Sequence, residues 1–294
     1  MDAASSLMYG DHWTGRPTLE GDLENFRNNG LSRGFDDIKR LHPGKKNGPN
    51  PPEVTVPQSS LEGIMAMCVS MMGKKYFEAF YRCGVGNPVG PEILGETITY
   101  SDLMAVFNAW QINRHIPDPD RIVEIGPGFG ALAAILRSIY PKAEIVLIDL
   151  PEHTPITEYY LEETVGLENI TITTELPDGA DVVIALRCMM EMPMSEVERY
   201  IDWIQKNEVS WFYLVNRYMK KNITKLYPFD HYWLPVVSRV DYITGVIHEF
   251  LLERMVNPMS ILNNQLETLP PFIHNEKFAV GMDGRMTVRP YGNK

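Results

Sequence analysis

The sequence predicts an α/β fold in which helices precede a doubly wound, mostly parallel sheet. Three observations carry this. Residues 121–150 read RIVEIGPGFGALAAILRSIYPKAEIVLIDL, an apolar strand, a glycine turn, a helix with one apolar side and a second apolar strand ending in an acid. Strand and helix patterns then alternate, as a parallel sheet with crossover helices requires. Residues 59–118 carry two stretches at helical spacing ahead of this alternation.

Taken in order, residues 1–58 form an arm ending in a linker, with Pro43, Pro49, Pro51, Pro52 and Pro57 crowded near its end. Ser59-x-x-Glu62 fits a capping box. It opens a helix with Leu61, Ile64, Met65, Cys68, Met71 and Met72 at helical spacing. A second helix is expected from Ser101, carrying Leu103, Val106, Ala109 and Trp110. Together, residues 59–118 read as a helical cap, and 119–294 as the main domain. Its strands are expected at Ile122–Ile125, Ile145–Ile148, Ile170–Thr173, Asp181–Leu186, Trp211–Val215, Phe250–Met255 and Arg285–Arg289. Between them, Thr154-Pro155 is read as an N-cap and first helical proline, and Ser195 as the cap of a helix bearing Val197, Tyr200, Ile201 and Ile204. That gives seven strands with an antiparallel end.

The glycine turn Gly126-Pro127-Gly128-Phe129-Gly130 carries the first chemical signal. Glycines let the chain turn sharply off a strand and let a ligand approach the main chain. Asp149 follows Gly130 by 19 residues, near the spacing at which an acid meets ribose hydroxyls in nucleotide sites. The spacing is Gly-x-Gly-x-Gly, which does not fit a nicotinamide dinucleotide fingerprint. Glu124 stands two residues before the first glycine, where a carboxylate would attract a cationic ligand and repel a pyrophosphate.

Composition narrows the partners. The net charge of −11 disfavours nucleic acid and anionic membrane, because phosphate contacts supply most non-specific affinity. Cys68, Cys83 and Cys188 are odd in number and lack ligand spacing, so they read as free thiols in a reducing, cytoplasmic setting. Neither a signal peptide nor a membrane span is expected from the hydropathy pattern. The 16 methionines read mainly as core filler, with Met189, Met190, Met192 and Met194 as candidates to line a pliable pocket.

In open α/β sheets, ligands bind beyond the carboxyl ends of the strands. Those ends carry Glu124 to Gly130, Asp149 with Leu150, Arg187 to Glu191, and Asn216 with Arg217. Glu191 suits a substrate hydroxyl, proton transfer or a metal, and equally a surface carboxylate at a helix entrance. His153 and His231 are the histidines nearest that face, and aromatic neighbours such as Tyr232 suit a ring pocket. No His-x-x-x-His or Asp-x-Asp signature calls for a divalent metal, which stays an option at Glu191.

Val-Glu-Ile-Gly-Pro-Gly-Phe-Gly followed by an acid resembles the S-adenosylmethionine site of class I methyltransferases. Further segments resemble the family of sugar O-methyltransferases. They are Leu23-Glu24-Asn25-Phe26-Arg27, Gly86-Asn87-Pro88, Asp149-Leu150-Pro151-Glu152, Met190-Glu191-Met192 with Tyr200-Ile201, and Tyr213-x-x-Asn216, in the family's order. Pro127, Phe129 and Cys188-Met189-Met190 depart from the pattern. The resemblance implies a Rossmann-like sheet and O-methylation of a sugar or small natural-product hydroxyl. It implies Glu124, Gly126, Pro127, Gly128, Gly130, Asp149, Leu150 and Arg187 as cofactor residues. Glu191 with His231 or His153 would serve catalysis, and Asn216, Tyr81 and Tyr232 the acceptor. A homodimer is compatible with the cap and arm. Two alternatives stay open, namely transfer or cyclisation of the cofactor's aminocarboxypropyl arm, and a non-catalytic partner protein with this fold.

Overall fold

The computed structural model describes Leu23, Phe26, and residues 58–81, 84–86, 88, 91–93, 95–189, 192–217, 233–240, 247–254, 276–280 and 286–290. Its first helices are α1 (Gln58–Met72), α2 (Lys74–Phe80) and α3 (Tyr100–His115), with a short hairpin of β1 (Glu92–Ile93) and β2 (Glu96–Thr97) before α3. There follow β3 (Arg121–Ile125), α4 (Ala131–Ile139), β4 (Glu144–Ile148), α5 (Thr154–Thr164), β5 (Ile170–Thr173), β6 (Val182–Leu186), α6 (Met194–Lys206) and β7 (Trp211–Arg217). The remainder is β8 (Trp233–Val240), β9 (Ile247–Arg254), β10 (Glu276–Val280) and β11 (Met286–Pro290).

The main sheet runs β5-β4-β3-β6-β7-β9-β8. Its first five strands are parallel, and β9 pairs antiparallel with both β7 and β8. Strand order reverses at β3, so the crevice of a doubly wound sheet opens beside its carboxyl end. The inner parallel strands β3, β4, β6 and β7 are buried on both faces because helices cover both, while the edge strand β5 alternates Ile with Thr and stays partly exposed. On one face, Ile122, Leu147, Ile184 and Tyr213 share a core with α1, α3, α4 and α5. On the other, Val123, Val146, Val183 and Leu214 pack with Val197, Tyr200 and Ile204 of α6. The helices ahead of the sheet therefore contribute to one of its two cores.

Several local expectations shift. Ser59 lies inside α1, which starts at Gln58. The second helix starts at Tyr100 and not Ser101, capped by Thr99, whose hydroxyl accepts from the Asp102 N–H. Thr154 is the first residue of α5, with Pro155 next and His153 at the cap position. Pro193, with its extended ψ of 149°, takes the cap position of α6 instead of Ser195. Arg285–Arg289 was expected in the main sheet. The strand there, Met286–Pro290, pairs with Glu276–Val280 in a separate hairpin. Its expected place in the main sheet is taken by Trp233–Val240, whose Pro235 obscures a strand pattern. Proline lacks the N–H of a central strand, and β8 is at the sheet edge with an irregularity between Pro235 and Val237. Among the described residues, no helix is long and apolar enough to cross a membrane.

Candidate functional site

At the end of β3 the chain leaves the sheet by a left-handed path. The Gly126 N–H still donates to the Ile148 carbonyl of β4 at 2.8 Å. Gly126, Gly128 and Gly130 then take φ values of 68°, 63° and 95°, where side chains are disfavoured. Crowding adds a second requirement at Gly126, since a Cβ there would lie 2.6 Å from the Cys188 Cβ. Pro127 is buried, and its carbonyl accepts from the Gly130 N–H at 3.1 Å, closing the turn. Phe129 anchors the loop, its ring 5.0 Å from that of Tyr160 and 5.7 Å from that of Phe26.

Glu124 is 2% exposed, and its Oε2 has no hydrogen-bond partner. Burial, reinforced by the charge of Asp149, raises its carboxyl from the usual 4.5 to about 8. Burial also pushes the Cys188 thiol up, and the charges of Asp149 and Glu124 add to the effect. The Cys188 thiol donates to the Ile125 carbonyl at 2.9 Å. The pairing of β3 with β4 and β6 brings these groups together around the glycine turn.

Asp149 follows β4 directly. Its Oδ1 accepts from the Leu150 N–H at 2.7 Å and lies 2.9 Å from Nδ1 of His153. Thr157, one turn further along α5, donates its hydroxyl to the Gly128 carbonyl at 2.6 Å. Arg187, beyond β6, has a left-handed φ of 59°. Its Nη2 donates to the Tyr100 hydroxyl at 2.6 Å, so the end of β6 is tied to the first residue of α3.

Asn216, near the end of β7, is 2% exposed, and neither its Oδ1 nor its Nδ2 has a partner. A buried amide in that condition carries an unmet hydrogen-bonding demand. Tyr81 is buried. Its hydroxyl donates to the Thr97 carbonyl at 2.9 Å and accepts from the Thr99 N–H at 3.2 Å, bracing the β2–α3 connection. Glu191, His231 and Tyr232 lie outside the described residues. Among the described residues, no cluster of three or more His, Cys, Asp or Glu side chains could hold a metal ion.

The structure thus gathers Glu124, the glycine turn, Asp149, Leu150 and His153 at one end of the sheet. Sequence reasoning missed Thr157 and Tyr100. Thr157 carried a local signal, standing four residues after His153 on the same helical face. Tyr100 carried none, since its partner Arg187 is 87 residues away. An open cleft of about 580 Å³ runs between α5 and the edge strand β5, lined by Pro151, Thr154, Glu158, Ile172, Thr173 and Glu175 among others.

Set against known proteins, the chain resembles methyltransferases. No family model matches it. Over 119 residues it is 27% identical to demethylspheroidene O-methyltransferase of Rhodobacter capsulatus, which covers 39% of this chain and 30% of that protein. The chain thus spans less than a third of the length of this curated relative. Among solved structures, the magnesium protoporphyrin IX methyltransferase of Synechocystis PCC 6803, with bound S-adenosylmethionine, aligns with a TM-score of 0.44 at 14% identity. That alignment covers 66% of this chain and 97% of the other. Mitomycin 7-O-methyltransferase aligns with a TM-score of 0.40 at 13% identity, over 67% of each chain.

Proposed function

We propose that the chain is an S-adenosylmethionine-dependent O-methyltransferase that acts on a hydroxyl of a sugar or small natural-product acceptor. The observation that carries this reading is the buried Glu124 carboxyl, its Oε2 without a hydrogen-bond partner, beside a left-handed glycine turn and near a fixed acid. The residues present fit the cofactor. Glu124 offers a buried acceptor for its cationic methionine end, and the turn offers main chain without side-chain obstruction. Asp149 and Leu150 meet the ribose, and Arg187 meets the methionine carboxylate.

When bound, the cofactor supplies an electrophilic methyl on a sulfonium. The chain's own work is to hold the acceptor oxygen in line with it and to take the hydroxyl proton. We assign the proton to Glu191 with His231. Asn216, with its orphaned amide, and Tyr232 bind the acceptor. His153 is turned with its Nδ1 to Asp149. The acceptor is a small molecule, in keeping with the net charge of −11. A cytoplasmic setting and a homodimer belong to the same reading.

Titration with S-adenosylmethionine, followed by mass spectrometry of products from a panel of sugars and cell extracts, tests it. Asp149→Ala is expected to weaken cofactor binding at least tenfold more than Glu191→Ala does. Equal cofactor affinity in wild type and Asp149→Ala would sink the assignment. Methylthioadenosine as product, in place of S-adenosylhomocysteine, would replace methyl transfer by transfer of the aminocarboxypropyl arm.

A further inference from the structure

His153 occupies an unusual position for a histidine at a ligand-binding end of a sheet. Its side chain is 6% exposed and that of Asp149 is 9% exposed. The two face each other four residues apart, with Nδ1 2.9 Å from Oδ1. An ionised carboxylate only accepts hydrogen bonds, so Nδ1 carries the proton in this pair. With Leu150 N–H on the same oxygen, Oδ1 takes two donors and the carboxylate plane is fixed. Oδ2 is left to meet a ligand.

The backbone extends the arrangement. The His153 carbonyl accepts from the N–H groups of Ile156 and Thr157, beginning α5. Thr157 in turn donates its hydroxyl to the carbonyl of Gly128. One helical turn therefore holds both the acid after β4 and the glycine turn after β3. The ring's Nδ1 is committed to the carboxylate, so the two side chains hold each other's orientation.

We propose that His153 is a positioning residue, one that orients Asp149 for the cofactor's ribose diol by donating Nδ1–H to Oδ1 while α5 ties the same turn to Gly128. This rests on the cofactor reading above. It extends that reading by moving His153 from acceptor chemistry to cofactor affinity. Positioned ligands of this kind depend on the groups behind them, much as metal ligands depend on their hydrogen-bonded supports.

The test compares wild type, His153→Ala and His153→Asn by calorimetric titration with S-adenosylhomocysteine and by steady-state kinetics. Asparagine places an amide N–H near the position of Nδ1. His153→Ala is expected to raise Kd about tenfold, the worth of one charge-assisted hydrogen bond. His153→Asn should recover most of that loss. The kinetic penalty should fall on the cofactor's KM far more than on kcat.

An unchanged Kd in His153→Ala, with kcat collapsed, would return His153 to acceptor chemistry and overturn the proposal. Equal losses in the Ala and Asn variants would also overturn it, reducing the ring to packing. Should His153→Ala fail to fold, His153→Phe keeps the ring and removes the donor, and the same comparison with His153→Asn decides. A wild-type protein that binds no S-adenosylhomocysteine would instead refute the cofactor reading itself, and the positioning role with it.

Discussion

Replacing Glu124 by glutamine should make the protein more stable at alkaline pH and less able to bind its cofactor. The carboxyl is buried without a partner at Oε2, and its pKa stands at about 8 because burial and the charge of Asp149 both disfavour the ionised form. The unfolded chain ionises the same group near 4.5. Below that pH both states are protonated, and the group costs the fold nothing by titration. As pH rises from 4.5 to about 8, the unfolded state releases the proton while the native state retains it, so stability falls. Above about 8 the loss is complete and level. At about 1.4 kcal/mol per pH unit, the full loss is of the order of 5 kcal/mol. For a chain of this size that corresponds to up to about 10 °C in Tm.

Glu124→Gln removes the titration, so its Tm should exceed that of wild type most at pH 8 and above. A cation at this carboxyl favours the ionised form. At pH 7 only about one wild-type molecule in ten is competent, and Kd should fall about tenfold from pH 6 to pH 7. Thermal unfolding between pH 5 and pH 9 measures the first effect. Titration calorimetry in two buffers of different ionisation enthalpy measures the proton released on binding. Parallel Tm profiles for wild type and Glu124→Gln, together with a wild-type Kd flat from pH 6 to pH 9, would refute the reasoning.

Two further substitutions probe the frame around that carboxyl. Gly126→Ala meets both a φ of 68° and a contact of 2.6 Å with the Cys188 Cβ, so it should lose about 2–4 kcal/mol in denaturant unfolding. Adding Cys188→Gly should recover the steric part and leave the backbone part. Asn216→Leu removes two buried polar atoms without partners and should gain about 1–3 kcal/mol. Under the proposed function its kcat/KM for the acceptor should fall at the same time.

The parallel half of the sheet was legible because its inner strands are apolar runs followed by a turn signal, and its edge strand β5 alternates Ile with Thr. Burial on both faces leaves that mark in the sequence. The antiparallel end was not legible in the same way. The order β7-β9-β8 places the later strand inside the earlier one, and no periodicity encodes which returning strand lies next to β7. Pro235 further hid β8, since an interior proline argues against a central strand and is tolerated at an edge. Helix starts slipped by one or two residues because several caps rest on backbone geometry. His153 and Pro193 hold cap positions without any side-chain capping bond.

The candidate site divides along the same physical line. Glycines and acids placed by local spacing could be read directly, since a left-handed turn demands glycine and a strand end presents the next residue to the ligand. Part of what holds those residues in place comes from far along the chain. Phe26 packs on Phe129 of the turn and fills the space that a Cβ on Gly86 would occupy, at 2.4 Å. Tyr100 holds Arg187 across 87 residues. Each pairing joins the segments before the sheet to the loops at its carboxyl end, and the shared core of α1, α3, α4 and α5 makes that joining rigid. The ligand-facing residues are therefore oriented by side chains whose types are not special to nucleotide sites. A phenylalanine and a tyrosine gain their roles from where the fold carries them, which is why spacing pointed to the ligand sooner than to these residues that position it.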